Sequence, residues 1–419
     1  MSIMLKQYLT KYAGLISQIF SVMGYRSRSM HSLSHSTIRP GAKMSEVTPE
    51  IRASALKYCQ QLLHGAWKEL KQDRFQIKQV RENYLSPKRT TGEYYLGGLS
   101  NYLYVCSLPE DGHVQNGEPR QILLRYYGEI LTGNADAVVL DSVVFALLSE
   151  KKLGPKLYGV FHGGRLEEYI PSRSLTTAEL RVPYISKRIA QVMAKFHVLD
   201  MPVNKEPVAM FEMIAKWLQE ASSLTLENAK PYDKVLLEKI FSFKIEAEFE
   251  TLKDFVIGVN SPVVFCHNDL QEGNILCFGD TDDMELMAID FEYCNYNYRG
   301  CDIANHFNEW VYDYTYDKFP FYKESRENYP SREEQIFFLK AYLSASGENE
   351  DEIEQKAESM LYECSACGLI SHFLWGTWSL ACSKISHIEF GYLDYALVRF
   401  EAYFRQKAEL AQIKPPKKG

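Results

Sequence analysis

A surplus of positive charge is the first thing this 419-residue chain lacks. Lys and Arg total 47 against 54 Asp and Glu, a formal net charge of −7, so a phosphate-backbone binder is not its main role and no nucleic-acid partner is expected. A stretch able to cross a bilayer is also missing where one would look first: Tyr12 to Met23 is apolar but shorter than the ~20 residues required. No stable membrane insertion is expected. The nine cysteines are odd in number, scattered and without a secretory signal, which fits reduced thiols in a cytoplasmic chain. The single Cys364-x-x-Cys367 has no second CxxC or His pair at zinc spacing and lies in a helix-like stretch, so it reads as core packing. Internal repeats and long low-complexity linkers are absent too. What is present, 46% hydrophobic and 24% charged residues, is the make-up of a water-soluble globular protein of one large or two medium domains.

Acidic residues are missing from residues 1–45, which carry Lys6, Lys11, Arg26, Arg28, Arg39 and Lys43 and a Ser/His-rich run from Ser27 to Ser36. Set against the net −7, these six cations leave −13 on the remainder. The segment reads as a disordered or isoform-specific extension, although an acid-free, Ser-rich, amphipathic stretch also describes a transit peptide.

Globular patterning starts near Pro49. Helical spacing over Pro49–Leu70 is followed by strand-like runs at Tyr94–Ser107 and Arg120–Tyr127, a helix over Ala137–Lys151, then strands at Leu157–Phe161 and Leu166–Ile170. After Pro171 the pattern is helical over Val182–His197, Met210–Leu226 and Lys234–Val256, is interrupted by a β-rich island at Val263–Asp290, and resumes over Arg332–Gln406. The expected fold is therefore α+β and bilobal. A sheet lobe (46–171) would precede a larger helical lobe (172–410), with 411–419 as a tail, the layout of a phosphotransferase.

The island carries the sharpest chemistry. In Val264-Phe-Cys-His267-Asn-Asp269-Leu-Gln271-Glu-Gly-Asn274-Ile-Leu276 an apolar strand ends in His-x-Asp, with an Asn five residues after the Asp. Phosphoryl transfer needs a carboxylate to orient the attacking hydroxyl and accept its proton, and an oxygen ligand nearby for Mg²⁺. Asp269 and Asn274 supply these from one loop, and Asp290, discharged from the strand Leu286–Ile289, supplies a second Mg²⁺ ligand. His267 would be a structural hydrogen-bonding residue. In the first lobe, Gly97, Gly98, Leu99, Ser100 and Asn101 form a glycine-bearing turn suited to ATP phosphates. Ile122-Leu-Leu-Arg125 offers an arginine fork to the same phosphates, and the helix carrying Asp141 would supply the acid that holds Arg125.

At these residues the chain resembles the choline/ethanolamine kinase family and, more broadly, aminoglycoside phosphotransferases and protein kinases. The likeness runs from about Pro49 to Lys407 and rests on residues 264–276, on IDFEYCNYNYRGCDIANHFNEW (289–310) and on SHFLWGTWSLACSKISHIEFGYLDYALVRFEAYF (371–404). It implies Mg²⁺- and ATP-dependent phosphorylation of choline to phosphocholine, the first step of the CDP-choline route to phosphatidylcholine, by a homodimer. It implies Asp269 as base, Asn274 and Asp290 as metal ligands, an adenine hinge at Glu168, Tyr169 and Ile170, and Gln271 near the nucleotide. Asp141 stands where the family has Glu.

A quaternary ammonium donates no hydrogen bond and is held by aromatic faces and a carboxylate. Trp375 with Trp378, and Tyr392 with Tyr395, stand three apart near Phe390, while Tyr293, Glu309 and Tyr314 follow Asp290; together with Asp269 they form the expected acceptor pocket. Core aromatics at helical spacing are the plainer reading of any one pair. Ethanolamine, whose primary ammonium donates hydrogen bonds, is the nearest rival acceptor, with dual activity also open. A non-catalytic pseudokinase would be expected to lose Asp269, Asn274 or Asp290, and none is lost.

Overall fold

The computed structural model describes residues 47–80, 101–114, 117–127, 135–227, 229–279, 284–386 and 388–413, with 135–137 described by backbone alone. The basic extension, the start of the strand expected at Tyr94, and Gly97, Gly98, Leu99 and Ser100 lie outside these residues. Two compact units divide the chain, one through Pro171 and one from Ser172.

In the first unit, α1 (Pro49–Leu62) starts where Thr48 Oγ1 accepts the Ile51 N–H at 3.3 Å and Pro49 takes the first helical position. It ends earlier than the expected Leu70: Leu63 turns extended, and a 3₁₀ turn over Gly65–Trp67 follows. Five antiparallel strands, β1 (Gln76–Val80), β2 (Asn101–Ser107), β3 (Gln121–Tyr127), β4 (Leu157–Phe161) and β5 (Gly164–Glu168), lie in the order β1-β2-β3-β5-β4. β1 carries too little apolar alternation to be read from sequence. Between β3 and β4 runs α2 (Ala135–Glu150). Period-two alternation sorts β3 into two faces: Ile122 and Leu124 join Tyr104, Trp67 and Leu166 in the core, while Arg125 and Tyr127 belong to the opposite face.

The second unit opens with β6 (Arg173–Ser174), α3 (Pro183–His197) and α4 (Ala209–Ala221). The single helix expected over Lys234–Val256 is two: α5 (Pro231–Ser242) and α6 (Ile245–Val259) meet at Lys244, which is left-handed at φ 51°. The break lets Leu237 and Ile240 of one helix and Ile245, Phe249, Leu252 and Val256 of the other each bury. The β-rich island becomes β7 (Val263–Cys266), β8 (Ile275–Phe278) and β9 (Glu285–Ala288), with β10 (Asn295–Tyr298) paired to β7 and β6 to β8. After α7 (Arg299–Glu309), the short pair β11 (Tyr312–Asp313) and β12 (Lys323–Glu324) leads to α8 (Arg332–Ala345), α9 (Glu350–Ile385) and α10 (Tyr392–Leu410). Every residue of α9 from Ala366 to Thr377 is buried, as expected of a helix packed on all sides. At Gly376 an added Cβ would lie 2.9 Å from the Phe400 ring, so the glycine sets how closely α10 approaches.

Candidate active site

The catalytic-loop candidates lie between β7 and β8, and their positions follow from buried polar anchors. The Asp302 carboxylate on α7 accepts the backbone N–H groups of His267 (2.9 Å) and Asn268 (2.7 Å), and His197 Nε2 lies 3.0 Å from it. Asn268 is left-handed (φ 66°), and its side chain donates to Tyr293 O and accepts from Asn297 Nδ2. This turn ends the strand and leads into Asp269. His267 Nδ1 accepts the Asp269 N–H while Nε2 faces Ile289 O at 3.0 Å, a neutral imidazole whose burial lowers its pKa. Farther along, His306 Nδ1 meets Leu270 O at 2.9 Å, and Trp310 Nε1 donates to His306 Nε2.

His197, Cys266 and Asp302 bring metal-ligand atom types within 4.8 Å. They are engaged otherwise: the imidazole and carboxylate hydrogen-bond each other, and the thiol, pushed well up by burial, donates to Val264 O and Asn297 O.

Asp269, Asn274 and Asp290 come together. Asn274 Nδ2 donates to Asp269 O (2.9 Å) and Asp269 Oδ2 (2.8 Å), leaving its carbonyl oxygen as the atom suited to a cation. Ile289 N donates to Asn274 O at 3.0 Å and so ties the residue before Asp290 to the loop; Asp290 is itself left-handed at φ 64°. Dense surroundings, then the charges of Glu309, Asp290 and Glu292, hold the Asp269 carboxyl well above the usual range. Burial and Glu309 likewise push Glu272 up to about 8. An amide oxygen and a carboxylate among excess negative charge are the donor set of a hard divalent cation. Gln271, expected near the nucleotide, caps its own turn: its Oε1 accepts the Gly273 N–H at 2.7 Å. Ser174 Oγ braces the same turn from β6 through Gly273 O.

The expected acceptor residues form one aromatic chain. Tyr293 meets Trp375 edge to face (centroids 5.5 Å apart), Trp375 meets Trp378 (5.8 Å), Trp378 meets Tyr392 (6.0 Å), and Phe390 meets Tyr392 (5.0 Å) and Tyr395 (5.7 Å). Tyr314 OH donates to Glu309 Oε2 at 2.6 Å and lies 2.6 Å from Tyr395 OH. Tyr293 joins the two halves of the site, since its backbone oxygen holds Asn268 while its ring packs on Trp375. Sequence reading missed Asp302, His197, His306, Tyr312 and Arg399; of these, Arg399 had a local signal, lying one helical turn after Tyr395.

In the first unit, Asn101 opens β2 and is buried. Glu168 ends β5 and accepts the Lys156 N–H, with Tyr169 and Ile170 following before Pro171. The expected Arg125–Asp141 partnership is corrected. Arg125 Nε donates to Glu167 Oε1 at 2.8 Å, Arg165 Nε to Glu167 Oε2 at 3.3 Å, and Asp141 pairs with Arg165. Register explains the exchange: Arg125 and Arg165 stand directly opposite across β3 and β5. Two like charges there would repel, and Glu167, two residues along β5 on the same face, bridges them. The two arginines overcome the effect of burial and hold the Glu167 carboxyl below its usual value.

Comparison with known proteins identifies the family. The choline/ethanolamine kinase family profile matches residues 93–404. Choline kinase alpha of Mus musculus is 45% identical over 389 residues, covering 86% of this chain and 82% of that protein. A choline/ethanolamine kinase of Rattus norvegicus is 44% identical over 379 residues, covering 89% and 91%. The crystal structure of a choline kinase from Cryptosporidium parvum superposes with a TM-score of 0.68 at 29% identity, covering 86% of this chain and 96% of that one. The chain belongs to the choline/ethanolamine kinase family. It is a phosphotransferase with the α+β, bilobal kinase-like fold.

Proposed function

We propose that this chain transfers the γ-phosphoryl group of ATP to the hydroxyl of choline, giving phosphocholine and ADP. One observation carries the reading: Tyr293 links a loop holding Asp269 against Asn274 to an aromatic chain flanked by Glu309. Asp269 orients the choline hydroxyl and accepts its proton, for which its raised pKa suits it. Asn274 and Asp290 would hold Mg²⁺, which when bound screens the phosphate charge. Arg125 and Asn101, with Gly97, Gly98, Leu99 and Ser100, serve the phosphates, and Glu168, Tyr169, Ile170 and Gln271 the rest of the nucleotide. Trp375, Trp378, Tyr392, Tyr395, Phe390, Tyr293 and Tyr314 surround the trimethylammonium head, each favourable ring contributing about 0.5–2 kcal/mol.

Each Glu309 oxygen already accepts a hydrogen bond, from Arg399 and Tyr314, and the aromatic chain around it presents ring faces, which hold a quaternary head that donates no hydrogen bond. That favours choline over ethanolamine. The working enzyme is a cytoplasmic homodimer in this reading. ADP release with Mg-ATP and choline, ethanolamine or no acceptor tests it. The expected result is choline-dependent turnover exceeding that with ethanolamine; ethanolamine preference would overturn the aromatic argument, and no acceptor dependence would overturn the kinase.

A further inference from the structure

Arg399, on α10, brings a wholly buried positive charge into the acid-rich second unit. Its guanidinium lies 4.5 Å from the Tyr312 ring centroid and 5.4 Å from that of Tyr395. Nη1 donates to Glu309 Oε1 at 2.9 Å and Nη2 to Ser371 Oγ at 3.4 Å, while Nε is buried without a hydrogen-bond partner. The other Glu309 oxygen accepts from Tyr314 OH, which also meets Tyr395 OH. One planar fork therefore fixes a carboxylate and, directly or through it, three tyrosines. Lysine, a point charge without a fork, would not do the same.

Exposure shows the side from which this support acts. Arg399 and Tyr312 are fully buried, whereas Tyr293, Tyr314, Trp378 and Phe390 keep some access to solvent. The guanidinium backs the ring set from within and leaves the outer faces to a ligand. Among the described residues, the charged and titratable groups coupled to Glu309 are Asp269 and Glu272 from the catalytic loop, Tyr312 and Tyr314 from the segment after α7, and Arg399 and Tyr395 from α10. Arg399 is the cation among them. Take it away and Glu309 loses its buried ion-pair partner, and nothing else of opposite charge holds the carboxylate in this orientation among the described residues.

We infer that Arg399 is a positioning residue for the cationic head of the acceptor: it holds Glu309 aimed, and braces Tyr312 and Tyr395, so that the pocket separates a quaternary ammonium from a neutral group of the same shape. This rests on the choline-kinase reading. Steady-state kinetics of the wild-type protein, Arg399→Met and Arg399→Lys test it, with choline, Mg-ATP and the neutral choline isostere 3,3-dimethylbutan-1-ol as varied substrates. In Arg399→Met the KM for choline rises ~10-fold or more while that for ATP stays within about twofold, and the preference for choline over the isostere in kcat/KM falls by a similar factor. Arg399→Lys recovers part of that preference. An unchanged or improved preference overturns the inference, as does a parallel rise in both KM values. Should Arg399→Met fail to fold, Arg399→Lys decides: a rise in the choline KM alone supports the inference, and wild-type values overturn it. Absence of acceptor-dependent turnover in the wild-type protein overturns the functional reading and this inference with it, whereas wild-type turnover with unmoved variants overturns the inference alone.

Discussion

In the first unit the buried ions are matched, with Arg125 and Arg165 against Glu167 and Asp141, and the carboxyl of Glu167 sits below its ordinary value. In the second unit Asp269, Glu272, Glu309, Asp290 and Glu292 crowd together, Arg399 is the cation found on Glu309, and the carboxyls of Asp269 and Glu272 are pushed up. Desolvation acts in the same direction in both places, so the difference lies in the partners. A carboxylate drawn below its usual range is already paired and belongs to the framework. One held above it gains when a cation arrives, which is the state expected of a site that receives a metal ion and an ammonium group.

Substitutions can break this contrast from either side. The largest effect is expected on the unmatched side: Asp290→Ala should lower turnover by roughly 10²–10³ or more through loss of a metal ligand, with Mg²⁺-dependent initial rates as the measurement. Ordinary Mg²⁺-dependent rates would remove Asp290 from the metal site. On the matched side, Glu167→Gln leaves two buried guanidinium groups short of charge and should cost about 3 kcal/mol of unfolding free energy, read from urea titration. An unmoved midpoint would mean that this network is not part of the framework. Trp378→Ala removes one wall of the aromatic set, so the KM for choline should rise about 2- to 30-fold, the kinetic equivalent of ~0.5–2 kcal/mol, with a smaller change in the KM for ATP.

A change of pH also sharpens the comparison. Glu272 holds its proton up to about pH 8 when folded, against 4.5 ordinarily. The unfolded chain releases that proton first, so wild-type stability should decline as pH rises between those values, by up to roughly 1.4 kcal/mol per pH unit from this group. Glu272→Gln carries no such proton, and its advantage over the wild type in thermal or urea unfolding should grow from pH 5 to pH 8. A difference independent of pH would contradict the raised value.

How much of this was legible in the sequence follows the range of each interaction. Asp269 and Asn274 are five residues apart in one loop, and Trp375 with Trp378 one helical turn apart, so spacing alone placed them together. The partner of Arg125 is not legible in the sequence, because it depends on the β3–β5 register, which sets Arg165 opposite Arg125 and makes Glu167 the bridge. The role of Asp302 is hidden for a related reason: it receives the His267 and Asn268 N–H groups from a helix that begins some thirty residues later, and nothing local marks it. The apolar period runs on past Lys244, so the division of α5 from α6 was hidden by the same pattern that revealed the helices.

Asp269→Asn compared with the wild type, at saturating Mg-ATP and varied choline, tests the central claim most directly. The substitution keeps the size of the side chain and removes the carboxylate that takes the proton. The expected result is a kcat lower by ~10²–10⁴ with the KM for choline within about threefold, the mark of a group that acts in the transfer step and not in holding the ammonium. A kcat within about threefold of the wild type would contradict the assignment of Asp269 as the base.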